Sequence, residues 1–159
     1  MIRVQREDFD PGAELDRLVA GKTGVGGVVS FVGLVRDTAE RQGVTAMTLE
    51  HYPGMTEKML GEIEAEACRR WPLDATLIVH RVGRLLPGER IVLVIAASAH
   101  RQAAFEAAAF LVDWLKTKAP FWKHEETAAG GHWVEARGSD DAAAERWAAP
   151  TGGKAAAPG

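Results

Sequence analysis

The sequence is poor in cysteine, in long apolar runs and in positive charge, and each shortage excludes a class of protein. Cys68 is the single cysteine, which rules out an internal disulfide and a cysteine-rich metal site. The longest uncharged apolar run, residues 91–99, is far shorter than the roughly 20 residues that span a bilayer. The net charge of −3 argues against a polycation that binds nucleic acid. We therefore expect a cytoplasmic protein that binds neither membrane nor nucleic acid.

The length and composition are those of one globular domain. The chain has 159 residues, 47% of them hydrophobic and 26% charged, which is enough to bury a sizeable core. From about residue 138 the sequence becomes rich in alanine, glycine and proline. We expect a single folded domain over residues 1–137 and a mostly disordered C-terminal tail over residues 138–159.

Apolar periodicity and turn residues predict a mixture of strands and helices. The run 24–35 is β-branched and apolar on both faces, so we expect a buried strand there. The run 101–119 is alanine-rich and apolar nearly all round, which predicts the central buried helix, ended by Pro120. This order of elements predicts an α+β fold with a split β-α-β sandwich as its core. The other expected elements are strands at 2–5, 44–52, 75–83, 90–98 and 132–137, and helices at 10–21 and 55–71.

Several familiar motifs are present only in part, and none of them predicts a site. The triplet GKT at 21–23 lacks the first glycine of a phosphate loop and precedes a strand. The five histidines show no ligand spacing, so we expect no metal, and no cofactor motif is complete. Cys68 lies in the middle of a helix between charged residues, which is a poor setting for a nucleophile.

Basic residues stand at the ends of regular elements. Arg36 follows the predicted strand 24–35, and His100 and Arg101 lie between a strand and the start of the apolar helix. Backbone N–H groups at such a helix start bind anions, and basic side chains there oppose the helix dipole, which favours negative charge. Two interpretations stay open: an anion site, or an ion pair of Arg101 with an acidic neighbour and a turn capped by His100.

The segment LKTKAPFWKHEE, residues 115–126, combines lysines with aromatic residues. Lys116 and Lys118 fall in the last turn of a predicted helix, where cations complement the helix dipole. Lys123 follows the rigid apolar stretch PFW, which should pack and direct the lysine. Together with Arg36, His100 and Arg101, Lys116 and Lys123 predict a pocket with aromatic walls for a small polyanionic or phosphorylated molecule.

Six motifs spread along the chain then show a family resemblance. FVGLVRD, LEHYPGMTEKML, RWPL, HRVGRLLPGE, SAHRQAAFEA and LKTKAPFWKHE with HWVEAR resemble, in this order, the large catalytic subunit of molybdopterin synthase, the MoaE family. The match covers roughly residues 1–147. It implies an α/β-hammerhead fold with a ferredoxin-like part, and a catalytic role for the domain 1–137. It also implies the conversion of cyclic pyranopterin monophosphate to molybdopterin by transfer of two sulfurs.

The resemblance also implies a partner and a set of site residues. The partner is a small ubiquitin-like sulfur-carrier subunit whose C-terminal Gly-Gly thiocarboxylate donates the sulfur. Lys116 and Lys123 are implied as catalytic, Lys116 as acid or base and Lys123 as electrostatic support. The implied substrate-binding residues are Leu34, Val35, Arg36, His100, Arg101, Lys116, Lys123, His124 and Glu125.

The spacing along the predicted helix suggests an assembly. Lys116 follows Arg101 by fifteen residues, which is about 22 Å along an unbroken helix, more than one small substrate spans. We therefore expect a homodimer with shared pockets, within a heterotetramer that includes two small subunits. The alternative is a non-catalytic ferredoxin-like module that binds phosphate or RNA. An RNA-binding sheet would need exposed aromatic residues on its central strands, and the predicted strands 75–83 and 90–98 have none.

Overall fold

The fold combines two antiparallel-rich sheets with helices, as the computed structural model describes it for residues 1–37, 43–134 and 138–148. Within these ranges there are eight strands and four helices. In chain order they are β1 (Ile2–Gln5), α1 (Pro11–Val19), β2 (Gly27–Leu34), β3 (Val44–His51), α2 (Met55–Arg70), β4 (Ala75–Arg81), β5 (Gly83–Leu85), β6 (Arg90–Ser98), α3 (Arg101–Lys118), β7 (Phe121–Thr127), β8 (Gly130–Val134) and α4 (Gly138–Glu145).

The strands form two four-stranded sheets. The first sheet has the order β1-β4-β6-β2, in which β1 and β4 are parallel and the other pairs antiparallel. The second has the order β5-β3-β7-β8 and is antiparallel throughout. The predicted α+β class is confirmed.

The first sheet is covered on both faces. Helices α2 and α3 pack on one face, where Ile78 and Val94 meet Leu60 and Phe110. On the other face Leu77 packs among residues of β4, β6 and α1. Successive residues of a strand point to opposite sides, so the neighbours Leu77 and Ile78 enter different cores, and both are at most 1% exposed. The central strands β4 and β6 therefore offer no open face for a ligand.

Helix α3 is the central buried helix that the sequence predicts. Alanines on its buried face bring the backbone close to the sheet, and Phe110 and Leu111 fill the space beyond them. The helix runs unbroken from Arg101, and Ala119 before Pro120 ends it.

The prediction that the strand within residues 24–35 is buried on both faces is wrong. The sequence suggests a strand buried on both faces, but β2 lies at the edge of the first sheet and pairs with β6. Phe31 is 37% exposed and Leu34 51% exposed. Apolar composition predicts that a strand is buried, but it does not report the strand's place in the sheet, which long-range pairing decides.

Residues 121–134 and 138–148 form more regular structure than the sequence indicates. The lysine segment itself is strand β7, which pairs with β3 and forms a hairpin with β8. Helix α4 lies inside the range predicted as mostly disordered tail, and after it Trp147 donates from Nε1 to Asp113 Oδ2 at 2.7 Å. The Trp147 ring also contacts Trp71 and Phe110, and this large aromatic side chain therefore packs the segment after α4 against the core. Residues 149–159 lie outside the described residues, and the division into domain and tail stays a prediction.

Candidate active site

Lys116 lies in the last turn of α3 and is exposed. Leu115 before it is buried and anchors this turn in the core. Lys118 has a different setting, because its Nζ lies 4.8 Å from the centroid of the Trp114 ring. A cation held over an indole face is stabilised there. Both lysines of this turn are exposed, and Lys118 is the one that has an aromatic partner, so Lys116 is the better candidate to bind a ligand.

Lys123 lies on one face of β7, together with Phe121 and Glu125. We call this the inner face. It meets the protein core at Glu125, which is 7% exposed, and at Leu49, the partner of Lys123 on β3, which is 1% exposed, whereas Lys123 itself is exposed. Phe121 and Lys123 therefore project to the same side, two residues apart.

The alternate residues of β7 occupy the opposite, outer face. Trp122 is 48% exposed there, and the His124 ring meets the ring of Trp133 edge-on at 5.0 Å. Gly131 lies directly under His124, because a Cβ at Gly131 would be 2.4 Å from His124 Cε1. Lys123 and Glu125 are thus separated by the strand from Trp122 and His124. The aromatic residues of the lysine segment are therefore also separated, with Phe121 on the inner face beside Lys123 and Trp122 on the outer face.

Arg36 follows the end of β2 and is exposed. The residue before it, Val35, is 2% exposed and is fixed by two backbone hydrogen bonds: its N–H donates to Glu89 O at 2.9 Å, and its carbonyl accepts from Gly88 N at 2.8 Å. Leu34, in contrast, is half exposed at the strand end. Of the predicted triplet, Val35 is a core residue that holds Arg36 at the end of the sheet.

Arg36, Lys116 and Lys123 all lie near the same end of the first sheet. We call the region that these three residues form the lysine end. Val92 of β6 pairs with Gly33 of β2 on one side and with His80 of β4 on the other, so His80 and the end of β2 lie in one row. Phe121, at the start of β7, stacks on His80 and brings β7 to that row.

The direction of α3 places Lys116 at this end as well. The helix starts beside the beginning of β2, because a Cβ at Gly27 would be 3.3 Å from Arg101 Cα. It packs along β2 and β6. The seven steps along β2 from Gly27 to Leu34 and the fifteen steps along α3 from Arg101 to Lys116 each cover about 22–23 Å. Because the helix and the strand start side by side, Lys116 lies near the end of the strand.

His100 and Arg101 form a second basic group at the opposite end of the helix. His100 is the N-cap residue of α3, and its backbone N–H donates to Ser98 Oγ at 3.3 Å. Gly26 passes so close that a Cβ there would lie 2.2 Å from Ala99 O. Both side chains are exposed. The structure therefore does not bring this pair together with Lys116 and Lys123 within one chain.

Two histidines that the sequence analysis leaves unassigned lie at the lysine end. The His80 ring stacks on Phe121 with the ring centroids 3.7 Å apart and the planes 13° from parallel. Burial lowers the pKa of His80 to about 4, and the charges of Lys123 and His51 act in the same direction. His51 pairs with Phe121 across β3 and β7. Neither histidine has a sequence signal beyond its strand, because Phe121 lies 41 positions after His80 and 70 positions after His51.

Other candidate groups are less suited to chemistry. Burial and the Glu64 carboxylate raise the pKa of the Cys68 thiol, which disfavours the thiolate. Within residues 1–37, 43–134 and 138–148, no three histidine, cysteine or acidic side chains are arranged to hold a metal ion. Among the helices of these ranges, none has the length and apolar character needed to cross a membrane.

Comparison with known proteins identifies the family. The family model described as "MoaE protein" matches residues 4–118. The chain belongs to the MoaE family. This confirms the resemblance that the sequence motifs show.

Individual members agree with the family match. The chain is 62% identical over 146 residues to a molybdopterin synthase catalytic subunit of Pseudomonas aeruginosa, covering 92% of this chain and 97% of that protein. It is similar to the solved structure of a molybdopterin biosynthesis MoaE protein from Burkholderia ambifaria MC40-6, with a TM-score of 0.80, 53% identity and 94% and 98% of the two chains covered. A solved complex of subunits 1 and 2 of the molybdopterin-converting factor from Helicobacter pylori has a TM-score of 0.71 at 18% identity, over 86% of this chain and 91% of that chain. That last likeness shows the fold alone.

Proposed function

We propose that this chain is the catalytic subunit of a molybdopterin synthase. It converts cyclic pyranopterin monophosphate to molybdopterin with sulfur from the thiocarboxylated C-terminus of a small ubiquitin-like subunit. The observation that carries this proposal is the family membership, with 62% identity to a molybdopterin synthase catalytic subunit over 92% of the chain. The basic lysine end, on a fold of that family, supplies the chemistry that the substrate needs.

Substrate binding is assigned to the cationic side chains after β2 and at the start of α3. The substrate carries a phosphate, and arginine binds phosphate by charge-assisted, bidentate hydrogen bonds. Arg36 is exposed at the end of β2 and is held in place by the buried Val35. His100 and Arg101 supply a second group of donors at the start of α3, where the helix dipole adds to the attraction of an anion.

The catalytic steps are assigned to the two lysines. The thiocarboxylate sulfur bonds to a carbon of the pterin side chain and displaces an oxygen there, and water then cleaves the acyl–sulfur bond to leave the partner's carboxylate. A proton donor and acceptor are needed at the substrate for the departing oxygen and the attacking water. Lys116 fits this role because it is exposed beside a buried anchor, Leu115. Lys123 stabilises the negative charge that develops on the acyl oxygen. Glu125 lies on the same face of β7 and belongs to the proposed site as a buried polar neighbour of Lys123, with its Oε2 3.6 Å from His132 Nε2.

The separation of the two basic groups supports a shared pocket. Lys116 and Arg101 are about 22 Å apart along α3, and a pterin phosphate is shorter than this distance. In a two-fold dimer, the lysine end of one copy can face His100 and Arg101 of the other. The proposed assembly is a homodimer that binds two small subunits, a heterotetramer in the cytoplasm.

His124 has a different place in this proposal. It lies on the outer face of β7 against Trp133, on the side away from Lys123. Because the two side chains lie on opposite faces of β7, His124 cannot contact a substrate that binds only on the face of Lys123. His124 therefore belongs to the proposed site only if the substrate or the partner's tail extends past the edge of the hairpin.

The competing interpretation, a ferredoxin-like module that binds phosphate or RNA without chemistry, is disfavoured. RNA-binding sheets of this type display aromatic residues on open central strands. In this chain both faces of β4 and β6 are covered by helices. The family match also favours the enzyme.

The test is reconstitution. Purified chain is mixed with the thiocarboxylated small subunit and cyclic pyranopterin monophosphate, and molybdopterin is measured by its oxidised fluorescent derivative. We expect product in proportion to the thiocarboxylate consumed, two per product molecule. The same mixture with the small subunit as a plain carboxylate is the control and should give none. Absence of product from a folded, partner-bound chain would refute the proposed function.

A further inference from the structure

His80 is the most deeply buried histidine near the lysine end. It lies on β4 with Val4 and Val92 as its cross-strand neighbours, on the face of the first sheet that carries α2 and α3. Its side chain is 8% exposed. A buried imidazole among apolar residues costs free energy unless it is hydrogen-bonded and neutral, so its presence calls for a physical reason.

The hydrogen bond of His80 determines its tautomer. Nδ1 lies 2.9 Å from the carbonyl oxygen of Arg81. A carbonyl oxygen accepts only, so Nδ1 carries the proton in this bond and Nε2 has the lone pair. The ring orientation is thereby set from one side by the backbone of its own strand.

The ring is held from the other side by Phe121. The two rings stack at a centroid distance of 3.7 Å and an angle of 13°. Phe121 is the first residue of β7, and the Phe121 N–H donates to Ala119 O at 2.9 Å in the turn that leaves α3. His80 thus contacts the chain at the point where it passes from the Lys116 helix to the Lys123 strand.

The contact bears directly on Lys123. Phe121 and Lys123 lie two positions apart on the inner face of β7, with only Trp122 between them. The extended strand backbone therefore couples the orientation of one side chain to that of the other. The imidazole is uncharged at neutral pH because burial lowers the pKa of His80 to about 4. A neutral ring can lie near the Lys123 ammonium without the repulsion that an arginine or lysine at position 80 would cause.

We propose that His80 is a positioning residue of the active site, which fixes Phe121 by ring stacking and so sets the position of Lys123 relative to Lys116. This rests on the proposed function for its catalytic readout. His80 itself does not touch the reacting atoms in this assignment. The residue acts through the start of β7, and the ring, more than its nitrogen atoms, is the part that matters.

Two apolar variants separate the ring from the rest of the side chain. His80→Phe keeps a flat ring that can stack on Phe121, and His80→Leu fills similar space without a ring. Both lose the hydrogen bond to Arg81 O, so both melting temperatures should fall, and that of His80→Leu should fall further because this variant also loses the stacking contact. The complete complex with the thiocarboxylated small subunit is used to measure kcat and KM.

For His80→Leu we expect kcat to fall by about tenfold or more with KM changed less than about twofold, because misplacement of a catalytic group by a fraction of an ångström affects the chemical step. For His80→Phe we expect kcat within about threefold of the original chain, since the stacking partner is retained. A His80→Leu chain that folds and keeps the original kcat overturns the proposal. A His80→Phe chain as impaired as His80→Leu overturns it as well.

A second measurement does not depend on activity. Amide hydrogen exchange of Phe121 and Lys123 in the chain alone should be faster in His80→Leu than in His80→Phe, because the start of β7 loses its stacking contact. Equal exchange in the two variants would refute the positioning role. If the original chain makes no product, the proposed function fails, whereas the exchange comparison still decides whether His80 holds the Lys123 strand.

Discussion

Arg101 and Lys116 lie at opposite ends of a single unbroken helix, about 22 Å apart along its axis. Gly27 beside Arg101 and Phe121 beyond Lys116 tie the two ends of the helix to opposite ends of the first sheet. A pterin phosphate is on the order of 10 Å long, which is much shorter than this separation. The proposed shared pocket follows from this distance, because two copies of the chain can bring the two basic groups to one substrate.

Complementation of two impaired variants tests this arrangement. Lys116→Ala is expected to be inactive and Arg101→Ala to be impaired by weaker substrate binding, and at low substrate a mixture that exchanges subunits should be more active than either variant alone. In a shared-site dimer each heterodimer has one pocket with both groups intact and one with neither. Exchange is followed by native mass spectrometry with one chain isotope-labelled. An exchanged mixture without this gain would place Arg101 and Lys116 in the pocket of one chain, and either the straight helix or the role of Arg101 would then be wrong.

Lys116→Ala should abolish sulfur transfer and leave the fold intact. The side chain is exposed, and its interaction with the helix dipole is worth only ~0.3–1 kcal/mol, so the free energy of unfolding should change little. Single-turnover production of molybdopterin and urea unfolding measure the two quantities. Lys118→Ala is the matched control from the same helical turn, and it should keep activity. Substantial turnover by Lys116→Ala would remove this lysine from the catalytic role.

Arg36→Ala should weaken substrate binding more than it slows the chemical step. A hydrogen bond to a charged group is worth ~1.5–3 kcal/mol, which corresponds to roughly 10- to 150-fold in affinity. Calorimetric titration with cyclic pyranopterin monophosphate measures the dissociation constant directly. Arg17, exposed on α1, provides a control, because Arg17→Ala should bind the substrate normally. Normal binding by Arg36→Ala would assign this arginine a structural role.

Gly26→Ala should destabilise the junction that presents His100 and Arg101. A Cβ at this position would lie 2.2 Å from the Ala99 carbonyl oxygen, so the backbone has to move. We expect a loss of about 1–3 kcal/mol in the free energy of unfolding, which is typical of overpacking. Gly24→Ala is the control, since a Cβ there meets nothing within 4 Å and should change stability by less than about 0.5 kcal/mol. Equal stability of the two variants would show that the close approach of Gly26 to Ala99 is relaxed in solution.

Local patterns in the sequence determine the helices and most strands. Helix α3 is predictable because its apolar residues recur over five turns and Pro120 stops it. The lysine segment stands out as a functional candidate because few packed structures combine so many lysines and aromatic residues. The six motifs together carry the family, and with it the reaction. These features need only residue types and their spacing along the chain.

The tertiary structure decides which of these residues share a surface. Strand pairing places β7 between β3 and β8, and its alternation separates Lys123 from His124, although they are neighbours in sequence. The same pairing puts β2 at a sheet edge, which its apolar composition does not reveal. The stacking of His80 on Phe121 joins residues 41 positions apart. Such contacts depend on how two sheets pack against each other, and periodicity along a single segment has no information on that packing.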